Sequence, residues 1–439
     1  PPIRIHHALM YSVYTAATAL AAPLVAAYLA VMPRHRPLVR RFWPAAPRDG
    51  GGPIWVHACS VGEVATARPL IERLRMRYPD TPLVLTTTTT TGRAQARATT
   101  PADDLLWFPI DQPWVVRSFV ARLRPRMLVL IETELWPAIL RECSRARVPV
   151  VLVNGRLSDR HFPRYRRLRS WLQPYIGTIA SAGMQNALYA DRLVSLGCPQ
   201  ERISVTGNLK FDDGISASAG AERESLRLQL AIAPDDVVLL FGSTRPGDEA
   251  LAAQCWQNLR EEMPRLRLII APRHPDRRLT DALAPFGGAA PLRSEGATFA
   301  DSRVLFLDTL GELKRFYAIA DVAVIGGSFF PGVDGHNPLE PAASGTATMF
   351  GPYMANFGDA AACLAEAGGA RQLSAATELL PVLRQLLSDA GARDRLGSRA
   401  RAVLEENRGA LDATVALVGA VLDSTQTEPS LPGYAAHSR

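Results

Sequence analysis

Residues 54–78 read IWVHACSVGEVATARPLIERLRMRY, and this stretch decides the fold class. Residues 54–58 are mostly apolar and begin Ile-Trp-Val, which predicts a buried strand. After a short loop, residues 64–78 carry the apolar spacing of a helix. A strand, a loop and a helix in this order form the unit from which parallel α/β sheets are built.

The same unit recurs along the chain and predicts two doubly wound halves. Further strand-like runs lie at residues 83–86, 127–131, 150–153, 237–241, 266–271, 304–307 and 322–325. The predicted parts are a Rossmann-like domain at 53–207, an interdomain connector at 208–236, a second Rossmann-like domain at 237–405, a C-terminal helix at 406–424 and a flexible tail at 425–439.

Composition excludes several classes of protein. The 439 residues are 47% apolar and 21% charged, which is ordinary for a globular chain and excludes a disordered or fibrous one. The five cysteines are widely spaced and form no CxxC pair, so neither a disulfide framework nor a zinc knuckle is indicated. A reducing compartment fits this cysteine usage.

The charge balance favours anionic partners. Lys+Arg number 49 against 42 Asp+Glu, and Lys210 and Lys314 are the only lysines, so arginine carries the excess. Guanidinium groups bind carboxylates and phosphates through two parallel hydrogen bonds. No RRM, KH or helix-turn-helix pattern accompanies them, so we expect no nucleic-acid partner.

Residues 1–33 are predicted to be a membrane anchor, followed by a basic linker at 34–52. Residues 8–32 carry no charge and, at 1.5 Å per residue, exceed the roughly 30 Å hydrocarbon core. The arginines that follow predict that the rest of the chain lies on the cytoplasmic side of the membrane; they are Arg34, Arg36, Arg40 and Arg41. The alternatives are a signal peptide cleaved near residues 19–21 and a buried hairpin of a soluble domain.

Ligands of open α/β sheets bind where strands end, so the loop at residues 57–63 is a candidate site. Gly62 permits a tight turn, and Glu63 falls in the first turn of the next helix, where the helix dipole favours an ionised carboxylate. Such a carboxylate suits a general base. The alternative is that Glu63 only completes the helix N-terminus.

The second loop has six consecutive threonines at 86–91, followed by Gly92 and Arg93. Hydroxyls and a cation at a strand end suit a sugar or phosphate, whereas the alternative is an edge strand rich in β-branched residues. The third loop contains Glu132 and Glu134, which either bind sugar hydroxyls or cap the helix that begins near Pro137.

Residues 156–169 hold six arginines interleaved with aromatic side chains. On one helix they would form a cationic face suited to anionic lipid headgroups, and a solvated arginine face is the alternative.

In the second half, glycine-rich and polar loops follow the strands: GSTR at 242–245, PRHP at 272–275, GGS at 326–328 and GHNPLEP at 335–341. They suit a phosphate and a ribose. Neither a Walker loop nor a GxGxxG fingerprint is present, which disfavours nucleoside triphosphate hydrolysis and NAD chemistry. No HExxH or comparable motif indicates a metal.

Taken in order, the motifs HACSVGE, TTTTTTG, TELWP, NGRLSDR, TGNLKFD, PRHPDR, DTLGELKRFYAIADVAVIGGS and GHNPLEPA resemble the Kdo (3-deoxy-D-manno-octulosonic acid) transferases. The resemblance extends from the anchor to about residue 405. It implies an α/β GT-B fold, with two Rossmann-like domains facing a cleft. It also implies inverting transfer of Kdo from CMP-Kdo to a lipid A precursor, with neither a metal nor a cofactor.

The same resemblance implies a role for individual residues. Glu63 would be the catalytic base. Acceptor binding is expected of Thr90, Gly92, Arg93, Glu134 and Arg156. Donor binding is expected of Ser243, Thr244, Arg273, His274, Gly311, Gly327, Ser328, Asn337 and Glu340.

The chain also departs from the family pattern. It reads GSTRPGDE where relatives tend to have His-Glu-Gly, Leu310 replaces a frequent methionine, Thr346 replaces a common lysine, and SFFPGVDGHN differs before its glycine. These departures bear on donor contacts. The rival functions are another GT-B enzyme that uses a UDP-sugar and a non-catalytic membrane-anchored scaffold that binds anionic lipid.

Overall fold

The computed structural model describes residues 2–33, 35–45, 52–159, 161–212, 219–288, 290–300 and 302–426. The chain divides into two compact units, unit 1 from Pro1–Asp213 with Gly409–Arg439, and unit 2 from Gly214–Arg408. The change from unit 1 to unit 2 therefore falls inside the predicted connector. Residues 427–439, which make up most of the predicted tail, lie outside the described residues.

Within the described residues, unit 1 is built on a seven-stranded sheet in the order β3-β2-β1-β4-β5-β6-β7, and every pair is parallel. The strands are β1 Ile54–His57, β2 Leu83–Thr87, β3 Asp104–Trp107, β4 Met127–Ile131, β5 Val150–Gly155, β6 Ser181–Met184 and β7 Ile203–Val205. The first eight helices are α1 Pro2–Val31, α2 Val61–Arg77, α3 Thr90–Thr99, α4 Pro113–Leu123, α5 Pro137–Arg145, α6 Phe162–Arg167, α7 Arg169–Ile176 and α8 Ala187–Ser195.

The described part of unit 2 holds a six-stranded parallel sheet in the order β10-β9-β8-β11-β12-β13. Its strands are β8 Val237–Thr244, β9 Leu266–Pro272, β10 Val304–Phe306, β11 Val322–Ile325, β12 Ala347–Phe350 and β13 Ala370–Gln372. Its helices are α9 Ala219–Gln229, α10 Asp248–Leu259, α11 Pro275–Leu283, α12 Leu313–Ile319, α13 Leu339–Ser344, α14 Gly358–Glu366, α15 Leu379–Ser388 and α16 Ala390–Glu406. These two parallel α/β units confirm the predicted fold class.

The last helix, α17 (Ala410–Gln426), belongs to unit 1. Its apolar face packs into the core that lies under α2, where Val418 and Leu422 are fully buried. Asp212 accepts hydrogen bonds from the backbone N–H groups of Gly409 (2.9 Å) and Leu411 (2.6 Å), which satisfies donors at the start of this helix.

Trp55 centres the core on the other face of the unit 1 sheet. Its ring lies 5.8 Å from that of Phe108 and 5.1 Å from that of Phe119, between ring centroids. Its indole N–H donates to Thr86 Oγ1 at 2.8 Å, so the buried polar atom of this large side chain is satisfied. Both faces of strand β1 are therefore packed into buried cores, directly before the candidate loop begins.

Helix α1 contains Met10–Val31, the one span in the described part of the chain that is long and apolar enough to cross a membrane. The helix runs through Pro23. Length and composition alone make this a candidate span, and they agree with the predicted anchor. The exposed apolar side chains of its second half include Leu20, Leu24 and Tyr28.

The first half of α1 contacts the rest of unit 1 directly. Tyr14 donates to a carboxylate oxygen of Asp111, and its ring lies 5.2 Å from the Trp171 ring. The Arg141 guanidinium lies 3.7 Å from the centroid of the Tyr11 ring.

The predicted basic linker is also partly structured, because Arg36–Arg41 forms a 3-10 helix and Arg41 O accepts from Ile110 N at 3.1 Å. Residues 34 and 46–51 of this linker lie outside the described residues.

Candidate functional site

The unit 1 site lies at the reversal of strand order, where β1 pairs with both β2 and β4. Loops that follow the two strands flanking such a reversal diverge and leave a crevice at their carboxyl ends. The loop after β1 leads to Glu63, and the loop after β4 leads to Glu134. The sheet topology thus brings together two carboxylates that are far apart in the chain.

Glu63 takes part in a capping arrangement at the start of α2. Ser60 is the N-cap residue, and its hydroxyl accepts a hydrogen bond from Glu63 N at 3.4 Å. The Glu63 carboxylate accepts from Cys59 N at 2.8 Å and from the Ser60 hydroxyl at 3.1 Å. The side chain therefore does complete the helix N-terminus, as the structural alternative proposed.

The environment of Glu63 also makes it a proton acceptor matched to neutral pH. Burial, together with the negative charges of Glu132 and Glu134, raises the pKa of Glu63 to about 8. The hydrogen bonds from Cys59 and Ser60 oppose this shift. A carboxyl group with this pKa can take up and release a proton in the physiological range. The same side chain thus caps α2 and has a pKa near neutral pH.

Glu134 is free of the capping role that its position suggested. The backbone N–H groups of Ala138 and Ile139, at the start of α5, donate to Asp111 at 3.1 and 2.9 Å. The alternative that Glu132 and Glu134 only cap this helix is therefore wrong, because Asp111 supplies the acceptor. Glu134 instead accepts from the Trp136 indole N–H. Although burial raises the pKa of Glu134, its interactions with His57, Trp136 and Arg41 outweigh burial and keep it below its usual value.

His57 lies fully buried behind the two carboxylates. Its ring stacks on Phe108 with 3.5 Å between centroids, and its Nδ1 lies 3.1 Å from Thr86 O. Nε2 lies 3.9 Å from Glu134 Oε2, beyond hydrogen-bond distance, and has no hydrogen-bond partner. Burial lowers the pKa of His57, so the imidazole is neutral at physiological pH.

Two cations complete this cluster, and sequence reasoning had assigned neither to it. Arg41 donates from Nε to Phe108 O at 3.0 Å, and its charge acts on Cys59 and Glu134. Lys210 Nζ lies 3.4 Å from Glu132 Oε1. The sequence held one signal for Lys210, since it is one of only two lysines and lies in the TGNLKFD motif.

Backbone geometry aims these side chains at the carboxyl end of the sheet. Glu132 directly follows β4, and Asn154 lies near the end of the neighbouring strand β5. Their φ angles are positive, at 61° and 53°. Asn154 is buried, and its Oδ1 accepts from Leu209 N at 3.0 Å, which holds the segment that carries Lys210. Non-glycine residues in this conformation are uncommon and concentrate at functional sites.

The threonine run divides into an internal and an outer part. Strand β2 lies between β3 and β1 and is fully buried, so the alternative of an edge strand is wrong. Thr88 and Thr89 both donate to Cys59 O at 3.2 Å, and Thr89 caps α3. A Cβ on Gly92 would lie 3.1 Å from Cys59 O, so glycine permits this close approach of α3 to the β1 loop. Thr90 and the exposed Thr91 face outward from the first turn of α3.

Arg93 contacts strand β3. Its Nη2 donates to Leu105 O at 2.8 Å, and its guanidinium lies 5.0 Å from the Trp107 ring centroid. Burial lowers its pKa, as do Arg97 and Arg40. The structure thus gives this candidate acceptor residue a contact with the β3 edge of the sheet.

The arginine-rich segment does not form the single helix expected over 156–169. Arg156 follows β5, and its carbonyl oxygen accepts from the Thr133 hydroxyl in the loop after β4. Two short helices follow, and residue 160 lies outside the described residues. Phe162, Tyr165 and Trp171 pack against the core. The arginines remain exposed; they are Arg164, Arg166, Arg167 and Arg169.

The unit 2 site lies at its own reversal of strand order, between β8 and β11. Asp248, at the start of α10, accepts from Arg245 N at 2.8 Å and from Gly327 N at 2.7 Å, so one carboxylate joins the loops that follow both strands. Burial raises the pKa of Asp248 to about 6. Ser243, with φ of 56°, and Thr244 lie within the end of β8, which continues past the predicted residues 237–241.

A pocket of about 180 Å³ opens beside these loops, and its lining includes Thr244, Arg245 and His274. Arg245 Nε donates to His336 Nε2 at 3.2 Å. Burial and the positive charges of Arg245, Arg273 and His274 lower the pKa of His336 to about 4. His336 is therefore neutral, and arginine side chains from the loops after β8 and β9 act on it.

The other candidate donor residues differ in their accessibility. Asn337 Nδ2 donates to Glu340 Oε1 at 3.3 Å, and both side chains are partly exposed at the start of α13. Gly311 is exposed, with open space around it. Ser328 is fully buried, donates to Ile325 O and accepts from Gly351 N at 2.9 Å. Its hydroxyl thus holds two strand-end loops together.

Two of the departures from the family pattern have opposite environments. Leu310 is 73% exposed, so its replacement of methionine leaves the core unchanged. Thr346 is buried and donates to Tyr317 O at 2.7 Å, in a space that the long side chain of lysine could not occupy in the same way.

The two strand orders, each with a site at its reversal, define a chain of the GT-B fold. The fold is shared with a UDP-N-acetylglucosamine 2-epimerase from Listeria monocytogenes, described as putative in its structure, with a TM-score of 0.56 at 14% identity over 86% of this chain and 98% of that chain. A glycosyltransferase from Rickettsia africae has a TM-score of 0.54 at 10% identity over 86% of this chain and 99% of that chain.

Sequence comparison identifies the family. Residues 26–213 match the family model described as 3-deoxy-D-manno-octulosonic-acid transferase. The transferase of that name from Haemophilus influenzae is 31% identical over 93% of this chain and 98% of its own length. The one from Bordetella pertussis is 35% identical over 84% of this chain and 87% of its own length. The chain belongs to the 3-deoxy-D-manno-octulosonic acid (Kdo) transferase family, which confirms the resemblance seen in its motifs.

Proposed function

We propose that this Kdo transferase takes Kdo from CMP-Kdo and attaches it to a lipid A precursor with inversion at the anomeric carbon and without a metal ion. The observation that carries the proposal is Glu63, a carboxylate with a pKa of about 8 at the carboxyl end of β1. In this mechanism Glu63 removes the proton from the acceptor hydroxyl while that oxygen attacks the anomeric carbon. CMP leaves from the opposite face, so the configuration inverts.

Unit 2 supplies the donor site in this proposal. CMP-Kdo carries a phosphate and a sugar carboxylate, and the convergence of Arg245, Arg273 and His274 near the unit 2 pocket suits two anionic groups. Asn337 and Glu340 offer partners for ribose hydroxyls. Because fixed guanidinium groups can stabilise the charge on departing CMP, the reaction does not require a divalent cation.

Unit 1 offers features that suit a lipid acceptor at a membrane surface. Trp43, Trp114 and Trp136 are 67%, 52% and 41% exposed, and tryptophan concentrates at membrane interfaces. The four exposed arginines of residues 164–169 add positive charge suited to anionic lipid headgroups. Burial and the charge of Glu134 raise the pKa of Tyr165, which places this segment within electrostatic reach of Glu134. Together with α1, these features support the proposal that the enzyme acts at the cytoplasmic face of the inner membrane.

Product analysis tests the proposed reaction. The purified full chain is incubated in detergent micelles with CMP-Kdo and a tetraacylated lipid A precursor, and the lipid is analysed by mass spectrometry. We expect the mass of at least one Kdo residue to be added, and CMP to be released in proportion. Product formed with UDP-N-acetylglucosamine but not with CMP-Kdo would instead identify a UDP-sugar enzyme, and lipid binding without CMP release would identify a scaffold.

The rate should rise with pH until Glu63 is ionised. Since its pKa is raised to about 8, the reactive carboxylate fraction falls about tenfold for each pH unit below that value. We expect log(kcat/KM) to increase with a slope near one up to about pH 8 and then to level off. Glu134→Gln removes a neighbouring negative charge and should shift the rising part of the pH–rate profile to lower pH. If the rise stays at the same pH, it reports the ionisation of another group.

Arg273→Ala should weaken donor binding. An exposed guanidinium that contacts an anion contributes a charge-assisted hydrogen bond, so we expect KM for CMP-Kdo to rise by roughly 10-fold to 100-fold. Arg384→Ala is the matched control, because Arg384 is also exposed but is paired with Glu262 at 2.8 Å. Steady-state kinetics with varied CMP-Kdo measure both variants, and equal KM values would remove Arg273 from the donor site.

A further inference from the structure

Helix α1 has two faces of opposite character between residues 11 and 31. One face is buried or partly buried and repeats every three or four residues; it includes Tyr11, Tyr14, Thr18, Ala22, Ala26 and Leu29. The opposite face, the outer face of α1, is apolar and consists of Val13, Leu20, Leu24 and Val31, which are 60%, 78%, 75% and 74% exposed. The helix therefore lies against protein along one side and offers a continuous apolar surface along the other.

The segment that contains α1 is attached to one short loop of unit 1 at two distant points of the chain. In the first half of α1, Thr15 O accepts a hydrogen bond from Gln112 Nε2 at 3.4 Å, and Gln112 is 1% exposed. Beyond the end of α1, Arg41 O accepts from Ile110 N at 3.1 Å. The segment thus leaves unit 1 and returns to almost the same point. A helix that crossed a membrane would instead carry its two ends to opposite sides, about 30 Å apart.

The part of α1 beyond its attachment is too short to cross a bilayer. Residues 19–31 number about 13 and, at 1.5 Å per residue, extend about 20 Å, whereas the hydrocarbon core is roughly 30 Å thick. The 3-10 helix Arg36–Arg41 then packs against α1, and the side chains of Arg36 and Arg40 are exposed. Because arginine is costly within the hydrocarbon, this 3-10 helix belongs at the level of the headgroups.

We propose that α1 is a monotopic membrane element, whose outer face enters one leaflet of an anionic bilayer while both ends of the helix stay on the side of unit 1. This topology replaces the single crossing that the length and composition of Met10–Val31 suggest. Arg36 and Arg40 beside the helix suit anionic lipid headgroups, and the exposed Trp43 suits the interface. The inference rests on the proposed membrane location and is independent of the proposed chemistry.

The side of the membrane on which each end lies is tested with two tagged versions of the full chain. One carries an epitope tag without lysine or arginine ahead of residue 1. The matched control carries the same tag after residue 439, because this end of the chain belongs to unit 1. Both are produced in Gram-negative cells and treated with proteinase K, either in spheroplasts or in inside-out membrane vesicles. We expect both tags to be digested in the same preparation, whereas digestion in opposite preparations would establish a crossing helix and overturn the proposal.

Binding of the outer face to lipid is tested by flotation of the purified full chain on vesicles of phosphatidylethanolamine and phosphatidylglycerol. Leu24→Asp places a charge on this face, so we expect the partition coefficient to fall at least about 10-fold. Leu228→Asp is the matched control, because Leu228 is 74% exposed but lies on α9 of unit 2. Equal partition coefficients for the two variants would remove the outer face from the membrane contact. A wild-type chain that does not float, or a dimer that Leu24→Asp dissociates, would show that this face binds another copy instead.

These results are separable from those of the proposed reaction. A chain that has both tags on one side but transfers no Kdo contradicts the proposed function and leaves the monotopic topology supported. A chain that transfers Kdo with its tags on opposite sides supports the reaction and refutes the topology.

Discussion

Glu63→Gln should lower kcat by roughly 100-fold to 10,000-fold, the contribution usual for a general base. Glutamine keeps a carbonyl oxygen that can accept from Cys59 N, and it serves at this position of a helix cap as glutamate does. The fold and the affinity for CMP-Kdo should therefore remain close to those of the wild-type chain. Single-turnover kinetics and equilibrium binding of CMP-Kdo measure the two effects separately.

Ser60→Ala is the control that isolates the capping role. It removes the N-cap hydroxyl of α2 but keeps the carboxylate, so we expect a loss of about 1 kcal/mol in the free energy of unfolding and a much smaller loss in rate. If Glu63 were a cap alone, Glu63→Gln would turn over at nearly the wild-type rate. That result would end its assignment as the base.

Asp248→Ala should cause the largest loss of stability among variants of the unit 2 site. The substitution leaves the N–H groups of Arg245 and Gly327 without their acceptor, and each buried unsatisfied group costs about 1–3 kcal/mol. We therefore expect the unfolding transition of unit 2 to lose about 2–6 kcal/mol. Denaturant unfolding followed by hydrogen exchange in β8 and β11 measures this loss. Affinity for CMP-Kdo should fall as well, because both loops lose their common anchor.

Two matched variants separate the hydrogen bonds from the charge of Asp248. Asp248→Asn keeps an acceptor oxygen and removes a charge that burial disfavours, so its loss should be clearly smaller than that of Asp248→Ala. Asp235→Ala removes a carboxylate that is 63% exposed and paired with Arg265, and should change stability by less than about 1 kcal/mol. Equal losses for alanine and asparagine at position 248 would contradict the anchoring role.

The strands were predictable where local pattern and burial agree. The predicted residues 127–131 and 322–325 coincide with β4 and β11, because parallel strands covered on both faces appear as short, continuous apolar runs. The end of β8 was missed, since Gly242, Ser243 and Thr244 have the composition of a loop. The pairing of these residues with β9 and β11, which a local window does not contain, keeps them in the strand.

The site was predictable in part for the same reason. Glu63 was found because its position after a strand and at a helix start is a local feature. The sequence offered the nearby acids as one alternative for the helix cap at α5, whereas Asp111, from the loop before α4, supplies it. Arg41 was interpreted as a membrane-orienting charge, and its buried contact with Phe108 O becomes visible only in the folded chain.

From its sequence alone, this chain is determined to be a pair of parallel α/β units with the motifs of a Kdo transferase, because strand, loop and helix signals are written in neighbouring residues. Tertiary structure alone decided that His57, Glu63 and Glu134 share one site and that Arg93 contacts the β3 edge instead. The physical reason is the strand order, which places β4 beside β1 and so brings together side chains separated by some seventy positions in the chain. Their burial and mutual repulsion, rather than any local pattern, set the pKa of the proposed base.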